Sequence, residues 1–332
     1  MNKMYTLLIL LSCCGMARAD EPVSFQRNVV VEEVTGTWCQ WCIYGMVYME
    51  QAAEQYGDRL IPISVHGGGV NRDPMEDLDY CTAVEQLGGF ISYPNAIINR
   101  DRARKGAPKA EYFGQIDAIL EEPCDAAVEL TAVINEDSTM AEATARVMLR
   151  EGAVADGWHL AYVMVEDSVH QPGDSRYNQA NGYAGGFSGE MAGYENKPKV
   201  IPAEEMYYRH VARSLLSPFN GIDNSLPADM EAGQWITHTF SFSMPENILV
   251  PANCRVVALL LDADNHVVNA AIARWSDKPA IPTAITSPVS QGSVSRCSAA
   301  TYTTSGMATA KLLPGLNVVR LTDGRVFKTI KK

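Results

Sequence analysis

The sequence predicts an α/β layer domain, followed by an antiparallel β-sandwich and a small β-rich tail. Between residues 28 and 122, apolar strands alternate with helices, which is typical of an α/β layer fold. From Cys124 the apolar residues recur with period two, as in antiparallel sheets that pack face to face. Residues 276–295 are rich in Pro, Ser and Thr, which indicates a linker before the tail.

The α/β region contains three predicted strands and three predicted helices. The strands are residues 28–35, 59–66 and 96–99, and the helices are residues 42–56, 74–87 and 111–122. The sandwich strands are predicted at residues 126–134, 140–149, 158–165, 235–242, 255–261 and 267–274. Between the third and fourth of these lies an insertion, residues 166–229, which is too long for a hairpin loop. We expect residues 206–215 within it to form a strand or helix packed on the sandwich.

The first residues have the pattern of an export signal. Lys3 precedes the apolar residues 6–16, and Ala17-Arg18-Ala19 is the small-x-small pattern that precedes signal-peptidase cleavage. Residues 1–19 are therefore predicted to be a signal peptide, with export to the periplasm or the cell surface. The alternative is a lipid anchor on Cys13. No later stretch reaches the ~18 apolar residues of a membrane-spanning helix.

Charge and cysteine content narrow the function classes. Residues 1–19 carry Lys3 and Arg18 and no acid, so cleavage changes the net charge from -12 to -14. Such a surface repels phosphate backbones, and we expect no nucleic-acid partner. Cleavage leaves six cysteines in an oxidising compartment, where an even number indicates disulfides or redox chemistry. We expect no cofactor and no metal ion, because a second CxxC or an HxxxH motif is missing from the sequence.

The motif that carries chemistry is Thr37-Trp38-Cys39-Gln40-Trp41-Cys42, where a predicted strand gives way to a helix. Cys39 at the helix start would be stabilised as a thiolate by free N–H groups and the helix dipole. The CxxC spacing allows a disulfide between Cys39 and Cys42, so Cys39 is predicted to be the nucleophile and Cys42 the resolving thiol. Half of a zinc site and a permanently oxidised structural disulfide are the alternatives.

These residues resemble the thioredoxin superfamily, in which a strand leads into Trp-Cys-x-x-Cys and a Tyr-Pro pair such as Tyr93-Pro94 precedes a short strand. The resemblance implies a cis Tyr93–Pro94 bond and a catalytic set that includes Pro94. It also implies that Tyr93 pairs with an extended substrate, which we expect Trp38 and Trp41 to contact as well. Glu33 would accept the proton of Cys42. Glu32 and Glu33 face opposite sides of the strand, and we expect Glu33 to be the one that points inward.

A closer resemblance is to the Omp28-related outer-membrane proteins of Gram-negative anaerobes. It is carried by residues 32–39, 93–100, 163–167 and 208–213. It implies a thioredoxin-like domain followed by a β-sandwich. With the changes of pattern along the chain, we predict a thioredoxin-like domain over residues 20–123, an immunoglobulin-like sandwich over 124–276, a linker over 277–295 and a tail over 296–332. Residues 302–328 of the tail are similar to the C-terminal sorting domain of type nine secretion cargo.

Two functions remain open from sequence. The first is a cell-envelope thiol–disulfide oxidoreductase whose partners are the thiols and disulfides of exported proteins, with an electron donor in the envelope. The second is a non-catalytic outer-membrane or surface binding protein, such as an adhesin, in which Cys39 and Cys42 form a structural disulfide. A second disulfide is predicted between Cys124 and Cys254, which both precede apolar strands. Sequence alone leaves the pairing of Cys81 and Cys297 open.

Overall fold

Sheets dominate this mixed α/β structure. The computed structural model describes residues 23–68, 72–186, 189 and 191–276, and the backbone of four strands after residue 299. The predicted signal segment, Cys13, the linker at 277–295 and Cys297 lie outside the described residues. The chain divides into two units, Met1–Ala280 and Ile281–Lys332.

The described elements of the first unit follow the predicted order. The helices are α1 (Cys42–Tyr56), α2 (Leu78–Gly88) and α3 (Ala110–Glu121). The strands are β1 (Val29–Thr35), β2 (Leu60–His66), β3 (Asn95–Ile98), β4 (Lys105–Gly106), β5 (Ala126–Ile134), β6 (Met140–Leu149), β7 (His159–Glu166), β8 (Gln179–Ala180), β9 (Val200–Ile201), β10 (Val211–Leu215), β11 (Trp235–Ser243), β12 (Cys254–Leu261) and β13 (Val267–Arg274).

Every helix and strand predicted in this unit is present. The two largest shifts in an element's start are at β10, which begins at Val211 rather than at residue 206, and at α2, which begins at Leu78 rather than at Pro74. The side chain of Asp77 accepts a hydrogen bond from the Tyr80 N–H, so Asp77 caps the helix and sets its first turn.

An eight-stranded sheet runs across both predicted domains, in the order β13-β12-β7-β10-β2-β1-β3-β4. β1 pairs in parallel with β2 and antiparallel with β3. The segment expected to pack on the sandwich instead enters this sheet as β10, which pairs antiparallel with β7 and meets β2 at Val211 and Ser64. Its backbone joins the sheet because the edges of β2 and β7 would otherwise lack partners there. The domain boundary at residue 124 stays a prediction.

The eight-stranded sheet is covered by α2, by α1 with α3, and by a second, three-stranded sheet. One core lies under α2 and combines Val30 of β1 with Val163 of β7 and Leu259 of β12, so it includes residues from both sides of Cys124. A second core lies on the other face of β1, against α1 and α3. The three-stranded sheet β11-β6-β5 packs its inner face on β7 and β12.

Among the described residues, no helix has both the length and the apolar character needed to cross a bilayer.

The predicted disulfide between Cys124 and Cys254 is wrong. Both thiols are free and buried. Cys124 donates to the Ala126 carbonyl at 3.1 Å, and Cys254 donates to the Val250 carbonyl at 3.8 Å. Ala126 is bound by Asn269, which lies opposite Leu260 in β12. Leu260 is six residues after Cys254, about 20 Å along the strand. The two cysteines therefore lie at opposite ends of β12.

The second unit is a four-stranded antiparallel sheet, which agrees with the predicted β-rich tail. Its strands, in the order in which they pair, are Ala308–Thr309, Ala300–Thr303, Gly315–Arg320 and Val326–Lys331. The backbone gives this fold, and the secretion role of the tail stays a prediction.

Glu32 of β1 belongs to a buried ionic network on the α2 side of the sheet. Arg100 donates to both Glu32 carboxylate oxygens at 3.0 Å, and the Tyr80 hydroxyl donates to Oε1 at 2.6 Å. Both side chains of the pair are 0% exposed. Arg100 also donates to the Phe219 carbonyl, at 2.6 Å, and its guanidinium lies over the Phe219 ring. The network therefore ties β1 to the long insertion.

Replacing Arg100 by Met should lower the free energy of unfolding by about 3–5 kcal/mol, because the Glu32 charge would lose its buried partner. The control is Lys197→Met, which breaks a partly exposed pair with Glu205 and should cost at most about 1 kcal/mol. Urea unfolding measures both. Equal losses in the two variants would contradict the role given to the network.

Candidate functional site

The CxxC motif forms a tight turn between β1 and α1. The Cys39 N–H donates to the Gly36 carbonyl at 3.1 Å, and the Cys42 N–H donates to the Cys39 carbonyl at 3.2 Å. The first helical residue is Cys42, so Cys39 lies three residues before the helix rather than in its first turn. Its sulfur still accepts from the backbone N–H groups of Trp41 and Cys42 at the start of the helix.

The two thiols have opposite electrostatic environments. A hydrogen bond from Cys42 lowers the pKa of Cys39, and the N–H groups of Trp41 and Cys42 and the charge of Arg72 act in the same direction against burial. Burial raises the pKa of Cys42 well above its usual value, and the hydrogen bond to Cys39 adds to the effect. Both cysteines are free thiols here, with Cys39 5% and Cys42 0% exposed. The disulfide between them stays a prediction.

Glu33 is a fully buried carboxyl group next to this pair; it points inward as expected, but Glu32 is equally buried, so the prediction that only one of the two does so is wrong. Both of its oxygens lack a hydrogen-bond partner. Burial raises its pKa well above the usual value, and the nearby Cys39 raises it further. Helix α1 approaches closely because residue 45 is glycine: a Cβ there would lie 1.7 Å from Glu33 Oε1. Glu32 is buried as well, because β1 is covered on both faces.

A groove of about 760 Å³ opens beside Cys39. The three predicted substrate-contacting residues, Trp38, Trp41 and Tyr93, all line it. The Tyr93–Pro94 bond is cis, as predicted. Pro94 also lies at Gly45, where an added Cβ would be 3.0 Å from the proline Cβ. The structure therefore brings the predicted site residues to one place.

Glu85 and Cys81 position the Tyr93 side chain beside the groove, a role that the sequence did not indicate. The Trp38 indole donates to the Gly67 carbonyl at 2.7 Å, and its ring lies 5.3 Å from that of Tyr93. The Tyr93 hydroxyl donates to Glu85 at 2.6 Å and lies 3.2 Å from the Cys81 sulfur. Burial raises the pKa of Cys81 to about 11, so this thiol is neutral.

Sequence reasoning also missed the contribution of the long insertion. Residues Gln179, Ala180 and Gly182 all hydrogen bond to the CxxC turn, and Tyr183 packs edge-on against Trp41. The length of the insertion was a signal of function, but nothing in its composition indicated which loop it would cover.

A second cavity, of about 740 Å³, lies on the far side of α1, between that helix, β2 and the residues before β10. At its rim, Arg209 pairs with Glu50 at 3.1 Å, and His210 lies between Glu50 and Asp167 at 3.1 and 3.4 Å. Glu50 is thus paired with Arg209 and His210, and neither Cys39 nor Cys42 lines this cavity. We therefore place the functional site at the groove beside Cys39.

The Omp28 outer membrane protein family model matches residues 82–275. The chain belongs to this family. A solved structure of HBP35 of Porphyromonas gingivalis is similar in fold, with 18% identity and a TM-score of 0.54, and the match covers 93% of this chain and 100% of that one. A comparison with curated proteins gives no match.

Two further solved structures match this Omp28-family chain with TM-scores below 0.5. One is a protein of Agrobacterium tumefaciens, with 15% identity, a TM-score of 0.40, and coverage of 75% of this chain and 95% of that one. The other is a domain of the outer membrane lipoprotein Omp28 of Porphyromonas gingivalis, with 10% identity, a TM-score of 0.26, and coverage of 46% and 89%.

In the reduced protein, iodoacetamide should alkylate Cys39 faster than Cys42 below pH 7, because the lowered pKa of Cys39 gives more thiolate. Peptide mass mapping over time measures both rates. Cys81 and Cys254 are internal controls, since burial raises their pKa values to about 11 and about 12. Labelling of Cys42 as fast as Cys39 would show that the two environments do not differ.

Glu33→Gln should make the protein progressively more stable than wild type as the pH rises above the usual glutamate pKa. The pKa of Glu33 is raised from 4.5, so wild type loses stability as the pH climbs from there through the raised value, whereas glutamine does not titrate. The slope is at most about 1.4 kcal/mol per pH unit. Urea unfolding across pH measures it, with the exposed Glu54→Gln as control. Parallel stability curves would rule out a buried titrating Glu33.

Proposed function

We propose that this Omp28-family protein is a cell-envelope thiol–disulfide oxidoreductase that acts on exported proteins through Cys39 and Cys42. One observation carries the proposal: two adjacent thiols have pKa values shifted in opposite directions beside a buried, unpartnered carboxyl group. Perturbed ionisable groups that converge beside an open groove are typical of catalytic sites. A structural disulfide requires neither a stabilised thiolate nor a nearby proton acceptor.

In this mechanism the Cys39 thiolate attacks one sulfur of a substrate disulfide. The substrate S–S bond breaks, a mixed disulfide with Cys39 forms, and the first substrate sulfur leaves as a thiolate. Cys42 then loses its proton to the Glu33 carboxylate and attacks Cys39, which releases the second substrate thiolate. Two electrons pass to the substrate, and the protein is left with a Cys39–Cys42 disulfide. A dithiol donor of the envelope restores the reduced state, and the reverse sequence oxidises a substrate dithiol.

The same proposal includes a thioredoxin-like domain over residues 20–123 and an immunoglobulin-like sandwich over 124–276. The pairing of β1 with parallel β2 and antiparallel β3, and helix α1 after the CxxC turn, support the first. The packing of sheet β11-β6-β5 on β7 and β12 supports the second. In such a domain, Trp38, Trp41 and Tyr93 bind an extended segment of the substrate beside Cys39.

Export is the remaining part of the proposal. The description of the family as outer membrane proteins supports a location in the cell envelope. Cleavage after Ala19, or lipid attachment at Cys13, delivers the chain there, and the β-rich tail directs its further secretion.

One observation favours the alternative of a non-catalytic binding protein. Cys39 is only 5% exposed, and the insertion packs against its turn. In a binding protein, the groove would hold a ligand while the cysteines stabilise the loop. The two functions differ in whether Cys39 forms a covalent bond to a partner.

A Cys42→Ser protein should accumulate a mixed disulfide with exported proteins, because Cys39 still attacks but nothing resolves the adduct. Cys39→Ser should accumulate none. The experiment expresses each variant in its native envelope, separates adducts on non-reducing gels and identifies them by mass spectrometry. Cys81→Ser combined with Cys42→Ser is the control for adducts on another thiol. If adducts are missing, or are equal in the two single variants, the binding function replaces the enzymatic one.

A further inference from the structure

Four backbone carbonyls of the CxxC turn accept hydrogen bonds from one short segment of the insertion, Gln179 to Tyr183. The Ala180 N–H donates to Thr37 O at 2.8 Å, and the Gly182 N–H donates to Gln40 O at 2.8 Å. The side-chain amide of Gln179 donates to Cys39 O at 3.0 Å and to Gly36 O at 3.4 Å. These contacts link residues about 140 positions apart in the chain.

The segment is itself held firmly. β8 pairs with β9, so Gln179 lies opposite Ile201. The buried Asn181 donates through its side chain to the carbonyls of Tyr194, at 2.8 Å, and Pro198, at 3.1 Å. Gly182 sits against the turn so closely that a Cβ would be 3.1 Å from both Gln40 O and the Trp41 ring. The segment is therefore a rigid support rather than a loose cover.

Of residues 179–183, Gln179 is the one that hydrogen bonds to the CxxC turn through its side chain. It is 1% exposed, and its amide nitrogen bridges the two carbonyls that also accept from Cys39 N–H and Cys42 N–H. When these carbonyls are held on the Gln179 side, the turn keeps the N–H groups of Trp41 and Cys42, both of which act on the Cys39 thiol, close to its sulfur. Ala180 also lines the groove, so the segment borders the path to that sulfur.

We propose that Gln179 is a positioning residue for the redox turn: with residues 180–183 it fixes the backbone dipoles that stabilise the Cys39 thiolate. The inference deepens the proposed function, on which its biological meaning rests, by assigning control of the nucleophile to the insertion. Gln179 touches neither substrate nor sulfur in this role. It acts through the backbone of the turn.

The test is the pH profile of iodoacetamide alkylation at Cys39 in the purified, reduced, full-length protein. Gln179→Met keeps the side-chain length and removes both N–H donors. Losing one net hydrogen bond of about 1 kcal/mol should slow Cys39 alkylation at pH 6 about fivefold and move the profile to higher pH. Gln171→Met, at an exposed position of the same insertion, should leave the profile unchanged.

Gly182→Ala is the second variant. Its added methyl group contacts Gln40 O and the Trp41 ring, and the Gln179 side chain keeps its hydrogen-bond donors. The substitution should slow alkylation at pH 6 about two- to threefold, since overpacking shifts the turn. Gly114→Ala is its control, because a Cβ at residue 114 meets nothing within 4 Å. Thermal unfolding establishes that each variant is folded.

An unshifted profile in folded Gln179→Met overturns the proposal, and if that variant does not fold, an unshifted profile in Gly182→Ala overturns it. Alkylation needs no substrate or electron donor, so it is independent of the trapping experiment. A shifted profile without trapped partners leaves Gln179 as a positioning residue and removes the oxidoreductase function. Trapped partners with an unshifted profile support the oxidoreductase function and remove the positioning role of Gln179.

Discussion

The burial of two neighbouring carboxyl groups on opposite faces of β1 is the constraint on which the rest of this structure depends. Glu32 and Glu33 are both 0% exposed, and burying an ionised carboxylate without compensation is costly. The chain solves the problem differently on each face. Glu32 receives Arg100 and Tyr80, whereas Glu33 receives no partner and has a raised pKa instead. One face of the strand thus carries a buried ion-pair network, and the other carries a buried carboxyl group with a raised pKa.

This asymmetry organises the parts of the molecule around β1. Arg100 extends from the network to the Phe219 carbonyl, and β10 enters the sheet beside β2, so contacts outside the CxxC turn also anchor the insertion to the α/β region. That anchoring explains how a segment far along the chain can support the CxxC turn. On the other face, Gly45 lets α1 approach Glu33, and both the carboxyl group and Cys42 are fully buried there.

The local pattern of the sequence predicted much of this correctly. The period-two runs and the helix from Cys42 to Tyr56 appear where residue spacing placed them, because hydrophobic periodicity and glycine stops act over short distances. The grouping of Trp38, Trp41, Tyr93 and Cys39 followed from family resemblance rather than from spacing. The error at Cys124 and Cys254 arose because similar positions before two strands say nothing about which ends of those strands meet.

By itself, the sequence determined the order of helices and strands, the CxxC turn at the end of β1, and the acidic composition of the chain, since all three depend on neighbouring residues or on residue counts. Only the tertiary structure decided that both glutamates are buried, that β10 joins the central sheet and that Gln179 supports the turn. The physical reason is that burial and hydrogen-bond partners depend on what packs against a residue from distant parts of the chain. An i-to-i+140 contact leaves no periodic signal in the sequence.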